Sequence, residues 1–283
     1  MNCRKKLCIL QVTPSHPTPA HVELFADKEQ SDFYFVTHDA PHKDALEYCP
    51  NTTWTDTRNI LISKVPKKYD YYGFVDYDYV LRPLGQHQPL EQIIQDLDLF
   101  NPAILTYYPG NGMETPFASN IKYRDSKKHS ILPFAHAGFK IMHHSLVDWF
   151  FPMITKFGGG VESCHLFNIL ELPFIKNVVC SHEMVYDNGI SDSSTPHNKG
   201  DKMSEMWQWL RPSFKKDKIL NHYARNEYEK NNPFLIKQSF VDLITHKGVK
   251  PEKSNADVDY YNIARMSDFF DMSHEWFIPK NKR

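Results

Sequence analysis

The chain has 283 residues, with 34 acidic against 33 basic side chains and a formal net charge of −1. A hydrophobic fraction of 41% beside a charged fraction of 24% is the composition of a globular protein with a sizeable core, and it excludes a disordered chain. The charge balance excludes a general nucleic-acid binder, which needs a basic excess to neutralise phosphates.

In chain order, the first element is Leu7 to Val12. Its basic lead-in imitates a secretory leader, but the apolar run is short, meets Thr13 and Pro14, and lacks a small-residue cleavage site. It reads as a buried strand. Phe33 to Val36 is a second strand, Thr57 to Val65 a helix with apolar Ile60, Leu61 and Val65 at helical spacing, and Tyr71 to Val75 a third strand. Leu90 to Leu99 is an amphipathic helix and Ala103 to Tyr107 a fourth strand; Phe134 to Met142 follows, then the glycine run Gly158 to Gly160 and a loop-rich stretch from Ser181 to Gly200. Short apolar strands alternating with helices predict an α/β fold with a parallel or mixed sheet covered on both faces. From Met203 onward Trp207, Leu210, Ile219, Leu220 and Tyr223, then Leu235 to Ile244, predict a helical C-terminal extension over 201–283, packed on a catalytic domain of residues 1–200. No stretch reaches the roughly 18 apolar residues of a membrane span. The five cysteines are odd in number and form no Cys-x-x-Cys pair, which suits a reduced, cytoplasmic compartment.

The strongest chemical signal is Asp76-Tyr77-Asp78 at the end of the third strand. In extended chain, positions two apart share a side, so both carboxylates can face one cation. Ligands of open α/β sheets gather beyond the carboxyl ends of the strands, where this pair lies. Two carboxylates leave a Mg²⁺ or Mn²⁺ ion with positions for water and for phosphate oxygens, which favours a nucleoside diphosphate over a structural metal. The same spelling recurs at Asp96-Leu97-Asp98 and Asp257-Val258-Asp259, read as a solvated helix face and a polar loop.

This order of features, over roughly residues 7 to 200, resembles the GT-A glycosyltransferases, metal-dependent nucleotide-sugar enzymes with a Rossmann-like mixed sheet and an Asp-x-Asp motif. The resemblance implies that Thr13 and Pro14, after the first strand, and Asp39, after the second, hold the nucleoside. It gives Arg58, on the helix before the motif, a place facing the nucleotide, and Asp76 a part in holding the donor. Glu162, after the glycine run, takes the place of the carboxylate that contacts the acceptor or acts as general base; Ser163 stands where a second acid is common, which leaves inversion and retention both open. His136 falls in the segment that touches donor and acceptor. For a third metal ligand the resemblance offers His197, in a His-x-x-Gly segment, with His182 as competitor; Lys199 or Lys202 would neutralise the departing diphosphate.

The implied activity is Mn²⁺- or Mg²⁺-dependent transfer of a hexosyl or pentosyl group from a nucleotide-sugar, a UDP-sugar first, to a glycan or glycolipid acceptor. Membrane contact is peripheral at most. By analogy, such an enzyme without a secretory anchor belongs to bacterial surface-polysaccharide assembly or to a large DNA virus. The chain lacks the phosphate loop of NTPases, the dinucleotide glycine fingerprint and the Gly-x-Ser-x-Gly elbow. Two alternatives stay open: a metal-dependent phosphoesterase using Asp76, Asp78 and a histidine, and a non-catalytic carbohydrate-binding protein that uses the abundant aromatic rings.

Overall fold

Leu7–Thr13 forms β1, and every residue of it is buried. A strand without polar alternation is covered on both faces, the position the apolar run dictates. In the computed structural model, which describes residues 6–109, 129–131, 138–155, 178–188, 270–271 and 278–279, β1 is flanked by two parallel neighbours. These are β2 (Ser31–Thr37) and β3 (Tyr71–Asp76). Two helices make the crossovers that parallel strands require, α1 (Pro19–Phe25) into β2 and α2 (Trp54–Lys64) into β3.

Beyond β3 the sheet turns mixed. β4 (Tyr79–Pro83) follows a two-residue turn, and α3 (Pro89–Phe100) leads to β5 (Ile104–Pro109). The short β6 (His129–Ile131) precedes β7 (Phe139–His143), which inserts antiparallel between β3 and β5. A 3-10 turn at His144–Leu146 runs into α4 (Val147–Phe150). The long β8 (Val178–Asn188) lies parallel to β5 over Val178 to Ser181 and, after a register shift, at Val185 and Tyr186, while its Met184 to Asn188 stretch also pairs antiparallel with β4. The resulting order is β2-β1-β3-β7-β5-β8-β4, with β6 on β8. Far along the chain, β9 (Phe270–Asp271) and β10 (Ile278–Pro279) pair antiparallel with each other.

The sheet separates two packing layers. Leu7, Ile9, Tyr71, Val75, Phe139, Ile141 and Tyr186 join Phe25 of α1 and Ile93, Ile94 and Leu97 of α3 in one buried cluster. The alternate residues of β3, Tyr72, Phe74 and Asp76, face the side on which Arg58 of α2 lies. Gly73 is needed between the layers, because a Cβ there would stand 2.6 Å from Ile9 Cδ1.

The mixed α/β sheet flanked by helices is therefore the architecture of the described residues. Four details differ from expectation. Helix α1, started by Pro19 at its first turn, was not expected between the first two strands. Helix α2 begins three residues early because Thr53 and Asp56 form a reciprocal capping box. Strand β8 continues through Asn188, where loop was expected from Ser181, because Met184, Val185 and Tyr186 are buried. Asp96, expected on a solvated face, is 3% exposed. It accepts a 3.0 Å hydrogen bond from Gln92 Nε2, and burial pushes its carboxyl up. The helices expected after residue 200 lie outside the described residues.

Candidate functional site

The carboxyl ends of β1, β2 and β3 meet at one corner of the sheet. Val12 is in register with Asp76, and Thr13 with Thr37. The loop after β1 is pinned to the end of β2 by the Pro14 carbonyl, which accepts from the backbone amides of Asp39 (2.8 Å), Ala40 (3.2 Å) and His38 (3.3 Å). Thr13, Pro14 and Asp39 thus form one wall. The buried His38 holds the Asp39 carboxylate through Nδ1 at 2.8 Å, and Tyr48 donates its hydroxyl to the Asp39 carbonyl at 3.2 Å. Asp39 itself is more than half exposed.

Asp76 is the last residue of β3, fixed there by its amide bonding to the Gly138 carbonyl at 2.9 Å. Its carboxylate Oδ1 is ion-paired with Arg58 Nη2. Arg58 is buried, and its guanidinium lies 3.4 Å from the Trp54 ring centroid. Its spacing of four from Trp54 on α2 puts the two on one helix face. The other terminal guanidinium nitrogen, Nη1, is buried and has no hydrogen-bond partner among the described residues. Lys140, opposite Phe74 in register and 1% exposed, is a second buried cation on this face. Burial pushes the Asp76 carboxyl up, and the charges of Arg58 and Lys140 pull it back.

Asp78 comes next to Asp76 by a different route from the one its spacing predicts. β3 stops at Asp76, and Tyr77 and Asp78 form the turn into β4, so strand alternation does not align the two carboxylates. The turn keeps them in electrostatic contact: burial first, then the Asp76 charge, pushes the Asp78 carboxyl up to about 6. Tyr79, which follows, packs its ring over Gly138, where a Cβ would come within 2.5 Å of Cζ.

The structure therefore brings Thr13, Pro14, Asp39, Arg58, Asp76 and Asp78 to one corner. His136, Glu162, His197, Lys199 and Lys202 lie outside the described residues, and of His182 only the backbone, in β8, is described. Among the described residues no group of three or more His, Cys, Asp or Glu side chains could hold a metal ion. His38, Trp54 and Lys140 escaped the sequence reading. The i, i+4 spacing of Trp54 and Arg58 was a usable signal, whereas Lys140 depends on a long-range strand pairing. Among the described residues, no helix is long and apolar enough to cross a membrane. Cys8, Cys49 and Cys180 are buried, and among the described residues none is in a disulfide.

No family model matches the sequence, and no curated protein sequence matches it. Among solved structures, residues 1–349 of S. aureus TarS align with 11% identity over 84% of this chain and 77% of that one, at a TM-score of 0.49. The same fragment in complex with UDP aligns with 13% identity over 92% and 87%, at 0.47. A glycosyltransferase involved in glycosylation of the major capsid of PBCV-1 aligns with 14% identity over 62% and 82%, at 0.38.

Proposed function

We propose that the chain is a glycosyltransferase that uses a nucleotide-sugar donor, with its diphosphate and a divalent cation at the Asp76–Asp78 corner. The observation that carries this reading is the convergence of the β1 loop, Asp39, Arg58 and the two aspartates at the strand ends. That corner offers what a nucleoside diphosphate needs: a polar wall for the nucleoside and charged groups for the phosphates.

The residues present fit a hard cation. Asp76 is paired with Arg58 through Oδ1, and Asp78 stands beside it on the turn. A cation held by both would offset the burial, and after it the Asp76 charge, that raise the Asp78 carboxyl, and two carboxylates leave positions for phosphate oxygens. Bound there, Mn²⁺ or Mg²⁺ supplies Lewis-acid stabilisation of the diphosphate leaving group. Arg58, stacked on Trp54, orients Asp76. Thr13, Pro14 and Asp39 hold the nucleoside. Glu162 contacts the acceptor hydroxyl or removes its proton, with His136 near the sugar, His197 or His182 completing the metal shell, and Lys199 or Lys202 on the diphosphate. The acceptor is a glycan or glycolipid, met on the cytoplasmic side. UDP, the nucleotide in one of the TarS structures, is the first to test.

The test is UDP release from a panel of UDP-sugars, with and without Mn²⁺. The reading expects release that EDTA stops and that Asp76→Ala and Asp78→Ala abolish. Cleavage of a generic phosphodiester without UDP release would point to a phosphoesterase, and sugar binding that survives EDTA to a carbohydrate-binding protein.

A further inference from the structure

Thr18 sits at the N-cap of α1, where a threonine hydroxyl ordinarily accepts from an amide in the first helical turn. Here the side chain makes no such cap. Its hydroxyl donates instead to the Tyr77 carbonyl at 2.5 Å, across 59 residues of chain. Tyr77 is the residue between Asp76 and Asp78. The hydroxyl also accepts from Gln11 Nε2 at 3.2 Å, while the Thr18 amide donates to Gln11 Oε1 at 2.9 Å. Gln11 is fully buried in β1, and its Nε2 is also 2.7 Å from Nδ1 of the buried His21. A buried amide with both ends engaged is a rigid anchor.

We infer that Thr18, clamped by Gln11, is a positioning residue that ties the nucleotide loop to the aspartate turn, so that nucleotide and cation bind as one coupled event. The geometry gives the physical route. The loop from Thr13 to Thr18 is fixed at one end by the Pro14 carbonyl bonds to the Asp39 segment. It is fixed at the other by the Gln11–Thr18–Tyr77 chain. A nucleoside seated on Pro14 and Asp39 therefore braces the loop whose far end holds the peptide linking the two carboxylates. Any ordering supplied by one ligand is then already present for the second, which is positive coupling. The diverted cap fits this role, since the helix forgoes a stabilising bond that the site receives.

The inference rests on the reading of the corner as a nucleotide and cation site, and its test separates the two. UDP affinity is measured by calorimetry with and without Mn²⁺ for the unaltered protein, Thr18→Val and Thr18→Ser. Thr18→Val keeps the shape and the backbone bonds to Gln11 and removes the hydroxyl. Because Thr18→Val leaves the Tyr77 carbonyl and Gln11 Nε2 without this partner, its melting temperature falls by roughly a few degrees, and affinities are measured well below it. Mn²⁺ tightens UDP binding by about tenfold or more in the unaltered protein and in Thr18→Ser, and by about threefold less than that in Thr18→Val, where the direct contact of diphosphate and cation remains. A Thr18→Val protein that keeps the full effect overturns the role of Thr18 alone, as does an unaltered protein that binds both ligands without coupling. An unaltered protein that binds neither UDP nor Mn²⁺ overturns the reading of the site, and the coupling falls with it. Hydrogen exchange of the peptide spanning 76–79 gives a ligand-free check: it quickens in Thr18→Val, and unchanged exchange contradicts the link.

Discussion

Two Asp-x-Asp triplets with the same spelling behave in opposite ways in this molecule. Asp96 and Asp98 lie on α3, where positions two apart point away from each other. Asp96 goes inward to Gln92, and Asp98 goes outward to pair with Lys6. Asp76 and Asp78 lie on a strand end and the turn after it, and their charges act on each other. A short acidic motif takes its meaning from the backbone that carries it. The helix separates its two acids, whereas the strand end and turn assemble theirs at the place where an α/β sheet binds ligands.

The comparison breaks most sharply on activity. Asp76→Ala should lower transferase turnover by roughly 100-fold or more, while Asp96→Ala should leave donor affinity unchanged and cost about 1 kcal/mol through the orphaned Gln92 amide. Parallel donor-turnover assays and thermal melts read both, and equal losses of turnover would dissolve the distinction.

Next in size is the scaffold that holds β3 against its neighbours. Gly73→Ala would force a Cβ to 2.6 Å from Ile9 Cδ1 and 3.1 Å from Ile141 Cγ1, a cost of about 1–3 kcal/mol in denaturant unfolding. Gly138→Ala should act on the site itself, because its Cβ would displace the Tyr79 ring that follows Asp78. We expect weakened metal and nucleotide binding in that variant beyond any loss of stability. Retained affinity in a destabilised protein would place Tyr79 outside the site.

A smaller effect concerns pH. The Asp78 carboxyl is pushed up to about 6 from 3.8, so the folded chain holds this proton more tightly than the unfolded chain. Its favourable contribution is complete below the unfolded value and is lost as pH rises through about 6. Asp78→Asn removes that loss. The variant should melt with the unaltered protein near pH 4 and gain about 1–2 kcal/mol by pH 7, after discounting for solvent screening. Thermal melts across that range check it, and a gain at the acid end would reverse the sign. The smallest effect belongs to the exposed Lys6–Asp98 pair, where Asp98→Ala should change stability by under about 0.5 kcal/mol.

Much of this was legible from sequence, because the central strands are apolar runs and their order places the strand ends. Leu7 to Val12 could be only a strand fully covered on both faces, and it is β1. The Asp76 corner followed from the run Tyr71 to Val75 before it. What escaped was set by contacts distant in sequence or by local chemistry not weighed. The burial of Asp96 depends on which face of α3 meets the sheet. The approach of Asp78 depends on a turn that strand alternation does not foresee. The early start of α2 was written in Thr53 and Asp56, and the start of α1 in Pro19. Lys140 reaches the site only because β7 inserts beside β3, a pairing of strands far apart in the chain.

Diffraction from crystals soaked with UDP and Mn²⁺ tests the central claim most directly. The expected result is an anomalous manganese peak within bonding distance of carboxylate oxygens of both Asp76 and Asp78, with the diphosphate on the same ion and the nucleoside against Pro14 and Asp39. Nucleotide bound elsewhere, or manganese absent from that corner while UDP occupies it, would contradict it.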